Sequence, residues 1–171
     1  MNQQSQASNS SYILIMEDDP DQMGLLVDFA QTEIKNTIEN EHTSEEQKTT
    51  LSNVKIITVT NISSLSKAVL LHDNVLLAIL DCNIPDTRGG APHDQFIKTN
   101  HSITGQHKAV DIVSSALPNT PITMISSLNR FQKIINIYYQ KAHNLSINFI
   151  RKNDASIIQN NIGWYLRQFI K

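Results

Sequence analysis

Three consecutive carboxylates, Glu17, Asp18 and Asp19, stand directly after the apolar run ILIM of residues 13–16, and Asp81 ends the apolar run LLAIL of residues 76–80. Ser126 closes a third apolar run, PITMI, and Lys152 follows the residues FIR. Acids gathered in one place repel each other, by about 4 kcal/mol for two unit charges 4 Å apart at an effective dielectric near 20. Such a cluster requires a cation. Whether these side chains form a cluster depends on the elements that carry them.

Strands that are apolar throughout are covered on both faces and belong to a parallel sheet. Five segments qualify: Tyr12–Met16, residues 54–60, Val75–Leu80, residues 121–126 and Ser146–Ile150. Helices are predicted between and after them. One begins near Pro20, a residue suited to a first helical turn, and runs with Met23, Leu26, Val27, Ala30, Ile34 and Ile38 on one stripe. The others are Ser64–His72, with Leu65, Ala68, Val69 and Leu71 apolar, Ala109–Leu117, Phe131–Ala142 and Ala155–Ile170, the last with Ile158, Ile162, Tyr165 and Phe169 at helical spacing. The polar segment 39–53 reads as an insertion, either a short extra helix opened by Ser44 and Gln47 at capping-box spacing or a mobile excursion. A long polar loop, with a second insertion at 88–108, follows Asp81.

Five βα units joined by right-handed crossovers give an α/β fold of flavodoxin-like type: a doubly wound five-stranded parallel sheet of order 2-1-3-4-5 with helices on both faces. Strands one and three are neighbours at the switch point of that order. Ligand crevices in such sheets lie outside the carboxyl ends of the strands, so Glu17, Asp18 and Asp81 are expected to meet there.

The 171 residues suffice for one domain with a full core, here residues 12–171 behind a disordered polar tail of residues 1–11. Lys and Arg number 14 against 16 Asp and Glu, a net charge of −2, which gives no field to hold a phosphate backbone and argues against nucleic-acid binding. The first residues lack the basic and apolar parts of a signal peptide, and no apolar run is long enough to span a membrane. A cytoplasmic location is the expectation. The single cysteine, Cys82, follows an apolar strand and reads as a packed thiol without a chemical role. His93, His101 and His107 are spaced by eight and six, which matches no zinc pattern, and read as solvated loop residues.

The set as a whole resembles the receiver domain of two-component response regulators, from about Tyr12 to Lys171. MEDDP matches the family's acidic pair after strand one, LDCNIPD its phosphoacceptor loop, MISS its strand-four hydroxyl and FIRK its strand-five lysine. The resemblance implies that Asp81 accepts a phosphoryl group from a histidine kinase or a histidine phosphotransfer protein. It further implies that Glu17, Asp18, Asp81 and the backbone carbonyl of Asn83 hold Mg2+, with Asp19 behind them, and that Lys152 and Ser126 bind the phosphoryl group. Phe149, three residues before the lysine, would follow the inward movement of Ser126 and so alter protein contacts with a downstream partner. A few hard oxygen ligands suffice for Mg2+, which keeps several of its waters. The chain departs from the family pattern in having Asn153 where proline is usual, serines at 126 and 127 for threonine and alanine, and the lengthened connection after Asp81.

The reading that follows is a stand-alone receiver, a switching module rather than an enzyme. Two rivals stay open: a Mg2+-dependent phosphatase or phosphotransferase of similar topology, and a non-phosphorylated pseudo-receiver scaffold. The former usually carries a second acid two residues after its nucleophile, where this chain has Asn83. Asp19 before Pro20 also fits a plain helix cap. Ile134, Ile135, Tyr138 and Tyr139 exceed one buried stripe, which leaves a homodimer through the last two helices and an ordinary wide core face as equal alternatives.

Overall fold

The computed structural model describes residues 10–84, 96–99, 102–127 and 147–169. Element order is β1 (Tyr12–Met16), α1 (Pro20–Glu39), α2 (Glu45–Ser52), β2 (Lys55–Val59), α3 (Ile62–Leu71), β3 (Val75–Asp81), β4 (Phe96–Thr99), β5 (Ser102–His107), α4 (Lys108–Ala116), β6 (Ile122–Ser126), β7 (Ile147–Arg151) and α5 (Ala155–Phe169). The expected helix Phe131–Ala142, with its candidate dimer face, and His93 and His101 lie outside the described residues.

β2, β1, β3, β6 and β7 hydrogen-bond in that order, every pair parallel, which is the 2-1-3-4-5 arrangement. Alternate residues of each strand feed two cores. Leu14, Met16, Ala78, Leu80 and Met124 pack with Leu65, Val69, Val110 and Val113 of α3 and α4. Ile13, Ile15, Leu77, Ile79, Ile125 and Ile150 pack on the opposite face with Leu26 and Ala30 of α1 and Ile158, Ile162 and Leu166 of α5. All seven residues of β3 are buried, as the central strand of a double-sided sheet must be.

Helix starts are set by local hydrogen bonds. Asp19 Oδ1 accepts from the Asp21 and Gln22 amides at 2.9 and 3.2 Å, with Pro20 at the first helical position. Ser44 and Gln47 form a full capping box, so the insertion at 39–53 is a helix, α2, whose Leu51 plugs the second core. Asn61 accepts from the Ser64 amide at 2.8 Å and starts α3 two residues before the predicted position.

Three expectations change. The loop after Asp81 contains an antiparallel hairpin, β4 with β5, since FIKT and SITGQH each hold β-branched residues able to pair across the two residues between them. Ser10 and Ser11, read as the end of the tail, are buried, and Ser11 accepts from the Lys55 amide and the Asn74 side chain, both at 2.9 Å. Leu71, in the last turn of α3, is 77% exposed because at 100° per residue it sits about 130° from the direction shared by Ile62, Leu65, Ala68 and Val69. His107 is buried at 0% exposure, because the ring of this last β5 residue turns inward beneath the end of β3.

Helix α5 meets α1 where Gly163 lies against Glu33. The buried Glu33 carboxylate accepts from Gln159 at 2.9 Å and Asn36 at 3.1 Å, and a Cβ on residue 163 would overlap its Oε2. Alanine is the better helix former by about 1 kcal/mol, so the sign of Gly163→Ala depends on that carboxylate. Urea unfolding should show Gly163→Ala destabilising by about 1 kcal/mol with Glu33 present and stabilising in a Glu33→Ala background. Equal effects in both backgrounds would show that the close approach does not constrain the interface.

Candidate functional site

β1 and β3 are adjacent with Met16 paired to Leu80, so the residues just beyond them, Glu17 and Asp81, come together at the carboxyl end of the sheet. β6 joins β3, with Asp81 paired to Ile125, and brings Ser126 alongside. β7 joins β6 with Ser126 opposite Arg151, and the Lys152 amide donates to the Ser126 carbonyl at 3.1 Å. Lys152 then reaches back across the sheet. Its Nζ lies 2.9 Å from Asp81 Oδ2 and 2.9 and 2.7 Å from Glu17 Oε1 and Oε2.

Glu17 is fully buried and Asp81 is 2% exposed, whereas Asp18 is half-buried. One carboxylate oxygen from each of the three lies within 4.8 Å of the other two. A cavity of 260 Å3 opens over them, lined also by Asn83, Ser126, Ser127 and Lys152. Asp19 borders this cavity, but its carboxylate caps α1 and its amide donates to Glu17 Oε1 at 3.2 Å. Phe149 packs partly buried against the α3/α4 core, paired to Met124, and belongs to that core rather than to the cavity.

Burial dominates the electrostatics. Desolvation, then the charge of Glu17, pushes Asp81 up from 3.8 to about 7, against the opposing pull of Lys152 and the Asn83 amide. Glu17 is also raised, by desolvation first, with Lys152 pulling it back. Burial pulls the Lys152 ammonium down, yet the charges and hydrogen bonds of Asp81 and Glu17 outweigh it and the net displacement is upward. Three acids against one ammonium leave the pocket net negative when ionised. The donor set fits a hard divalent cation: ligands about 2.1 Å from a metal stand about 3 to 4.2 Å apart in an octahedron, close to the observed separation.

His107 was the residue misread from sequence. Its Nε2 lies 3.2 Å from the Cys82 carbonyl, and burial lowers the ring's pKa from 6.5 to about 4. Cys82 is fully buried, as the sequence suggested. A larger depression of 470 Å3 at the other end of the sheet, bordered by Asp73, Pro118 and Gln168, brings no such group of acids together.

No protein-family model matches the chain, and no curated protein matches it in sequence. Solved structures do. The non-phosphorylated receiver domain of the stress response regulator RcsB from Escherichia coli is 12% identical, with a TM-score of 0.58 over 94% of this chain and 95% of that one. The receiver domain of NtrX from Brucella abortus is 17% identical at a TM-score of 0.54, covering 91% of this chain and 98% of that one. The signal receiver domain of an HD domain-containing protein from Pseudomonas fluorescens is 9% identical at 0.56, covering 98% and 94%. The chain has the fold of response regulator receiver domains.

The raised pKa of Asp81 has a thermodynamic sign. Between about pH 4 and pH 7 the folded state holds a proton that the unfolded state has released, so this group's stabilising contribution is full at acid pH and is lost as pH rises through about 7. Without divalent cation, urea unfolding should show the original chain losing about 2 kcal/mol relative to Asp81→Asn between pH 5 and pH 7.5. Parallel pH dependences for the two proteins would refute the shift.

Proposed function

We propose that this chain is a phosphoacceptor receiver of a two-component or phosphorelay signalling system, taking a phosphoryl group on Asp81 with Mg2+ and signalling through protein contacts. The observation that carries the reading is the convergence of Glu17, Asp18 and Asp81 at the β1/β3 switch point with Lys152 bridging two of them, in a chain of this fold.

Each side chain has a task in the transfer. An oxygen of the Asp81 carboxylate attacks the phosphorus of a phosphohistidine on a histidine kinase or histidine phosphotransfer protein. The P–N bond breaks and its electron pair stays on the imidazole nitrogen. The transition state is loose and needs counter-charge on its equatorial oxygens more than covalent help. Lys152 provides one such charge, and Ser126, at the cavity wall, provides a hydroxyl for the phosphoryl oxygens once Asp81 carries them. Glu17, Asp18, Asp81 and the Asn83 carbonyl would hold Mg2+, which would supply the remaining positive charge. Asp19 supports this shell by its amide bond to Glu17. Phe149 would repack as Ser126 is drawn inward, and a downstream protein, or a second copy of the chain through the last helices, would read the change. Exposed Ile157 and Trp164 on α5 suit such a contact. Among the described residues no helix is long and apolar enough to cross a membrane, and the proposed module acts in the cytoplasm.

A non-phosphorylated scaffold of the same fold is the second reading. It is favoured by the pKa of about 7, which without a cation keeps part of Asp81 neutral, and by the exposed Asn153 where receivers usually have proline. A phosphatase is disfavoured by Asn83, which has no proton to exchange as an acid would.

Incubation with phosphoramidate and Mg2+ should give one labile phosphoryl adduct by intact mass. Asp81→Asn and removal of Mg2+ by a chelator should each abolish it, and Lys152→Ala should slow its formation on the order of a hundredfold. No adduct at any Mg2+ concentration would favour the scaffold. Steady turnover of a phosphoester without an adduct would favour the phosphatase.

A further inference from the structure

His107 ends the inserted hairpin, occupies the N-cap position of α4 without a side-chain capping bond, and sends its ring to the Cys82 carbonyl, 3.2 Å from Nε2. A carbonyl only accepts, so Nε2 must carry the hydrogen in this contact. That carbonyl belongs to the same planar peptide unit as the Asn83 amide. In a trans peptide the C=O and the N–H point in opposite directions. The Asn83 amide lies on the Asp81 side of that unit, at the wall of the same cavity, and helps to hold the Asp81 carboxyl pKa down. On the preceding peptide, the Cys82 amide donates to the Ile125 carbonyl of β6 at 3.0 Å.

We infer that His107 is a positioning residue for Asp81, gripping the Cys82–Asn83 peptide by its oxygen so that its N–H stays aimed at the phosphoacceptor carboxylate. This rests on the phosphoacceptor role proposed above for Asp81. Without the ring, the plane is free to rotate about the bonds on either side. Rotation would misdirect the Asn83 amide and also disturb the residue whose carbonyl is proposed above as a Mg2+ ligand. A donor on the oxygen polarises the N–H at the other end of the same unit, so the two hydrogen bonds strengthen each other. His107 and Cys82 are fully buried, which raises the value of the bond between them. An ordinary packed residue would fill this space equally well with leucine or phenylalanine. The hydrogen bond to a loop that contains the reactive acid is what distinguishes the two roles. The ring also ties the phosphoacceptor loop to the hairpin inserted between β3 and α4, since His107 pairs with Phe96.

The test uses the full chain labelled with 15N. Ring spectra of His107, assigned by their loss in His107→Gln, should show Nε2 protonated. Protonation at Nδ1 alone would overturn the inference. In the absence of metal, the Asn83 amide should exchange with solvent about tenfold faster in His107→Leu, the size expected for losing one hydrogen bond, and with Mg2+ present adduct formation from phosphoramidate should slow by a similar factor. His107→Gln restores an N–H donor on a flexible stem and should recover part of both. A folded His107→Leu with the original Asn83 exchange and the original rate would overturn the inference. If His107→Leu does not fold, the tautomer and the partial protection in His107→Gln decide. No adduct on the unsubstituted chain would overturn the phosphoacceptor reading itself and with it this role. The tautomer and the exchange would then still report on the hydrogen bond alone.

Discussion

The ammonium of Lys152 holds together what the rest of the sheet would otherwise drive apart. Glu17 and Asp81 sit at the tips of adjacent buried strands, almost without exposure, where two charges cannot coexist without a partner. Lys152 belongs to the far side of β6, roughly 14 Å from β1 at the usual strand spacing. The long lysine and glutamate side chains close that distance above β3. Removing one member of a buried ion pair leaves the other uncompensated, so this contact is less a source of stability than a condition for having acids there at all. Even with that contact, burial keeps the acids from being fully ionised without further positive charge, and both Glu17 and Asp81 are displaced upward.

Such a site needs a rigid support, and the sheet supplies it by being apolar on both faces up to its last turn. Ile13 and Ile15 anchor β1 into one core and Leu14 and Met16 into the other, so the strand cannot rotate or slip without exposing a full row of side chains. Glu17 begins where this row ends. Helix α5 is registered to the same strands by polar contacts within otherwise apolar packing: Thr123 donates to Asn161 at 2.7 Å, and Asn148 to the Tyr165 hydroxyl at 2.9 Å. Burial raises the Tyr165 hydroxyl pKa, as expected for a group that serves as a neutral hydrogen-bonding partner.

The sheet and the acids at its rim were legible because their signals are local. An apolar run ending in carboxylates announces both a buried strand and its carboxyl end, and the capping residues Asp19 and Ser44 act within three positions of themselves. Sheet order followed from handedness rules that need only the alternation of elements. His107, Glu33 and Leu71 were not legible in this way. A histidine in a polar segment looks solvated until an element far away in sequence closes over it, and Glu33 sits on the apolar side of α1 only because glycine at 163 leaves room. Leu71 is the reverse case, since an apolar residue in the last turn of a helix need not lie on its buried stripe.

Burial, more than residue type, therefore decides which polar groups here can do chemistry. Asp19 and Asp18 are adjacent acids of the same type, yet Asp19 spends its carboxylate on the first turn of α1 and Asp18 turns toward the cavity. Lys48 and Lys152 both pair with acids at 2.7 Å, but the first does so with Glu45 on an exposed helix, where such a pair contributes little and is screened by salt. The second does so against carboxylates that are almost fully buried. There the interaction moves protonation equilibria on both partners.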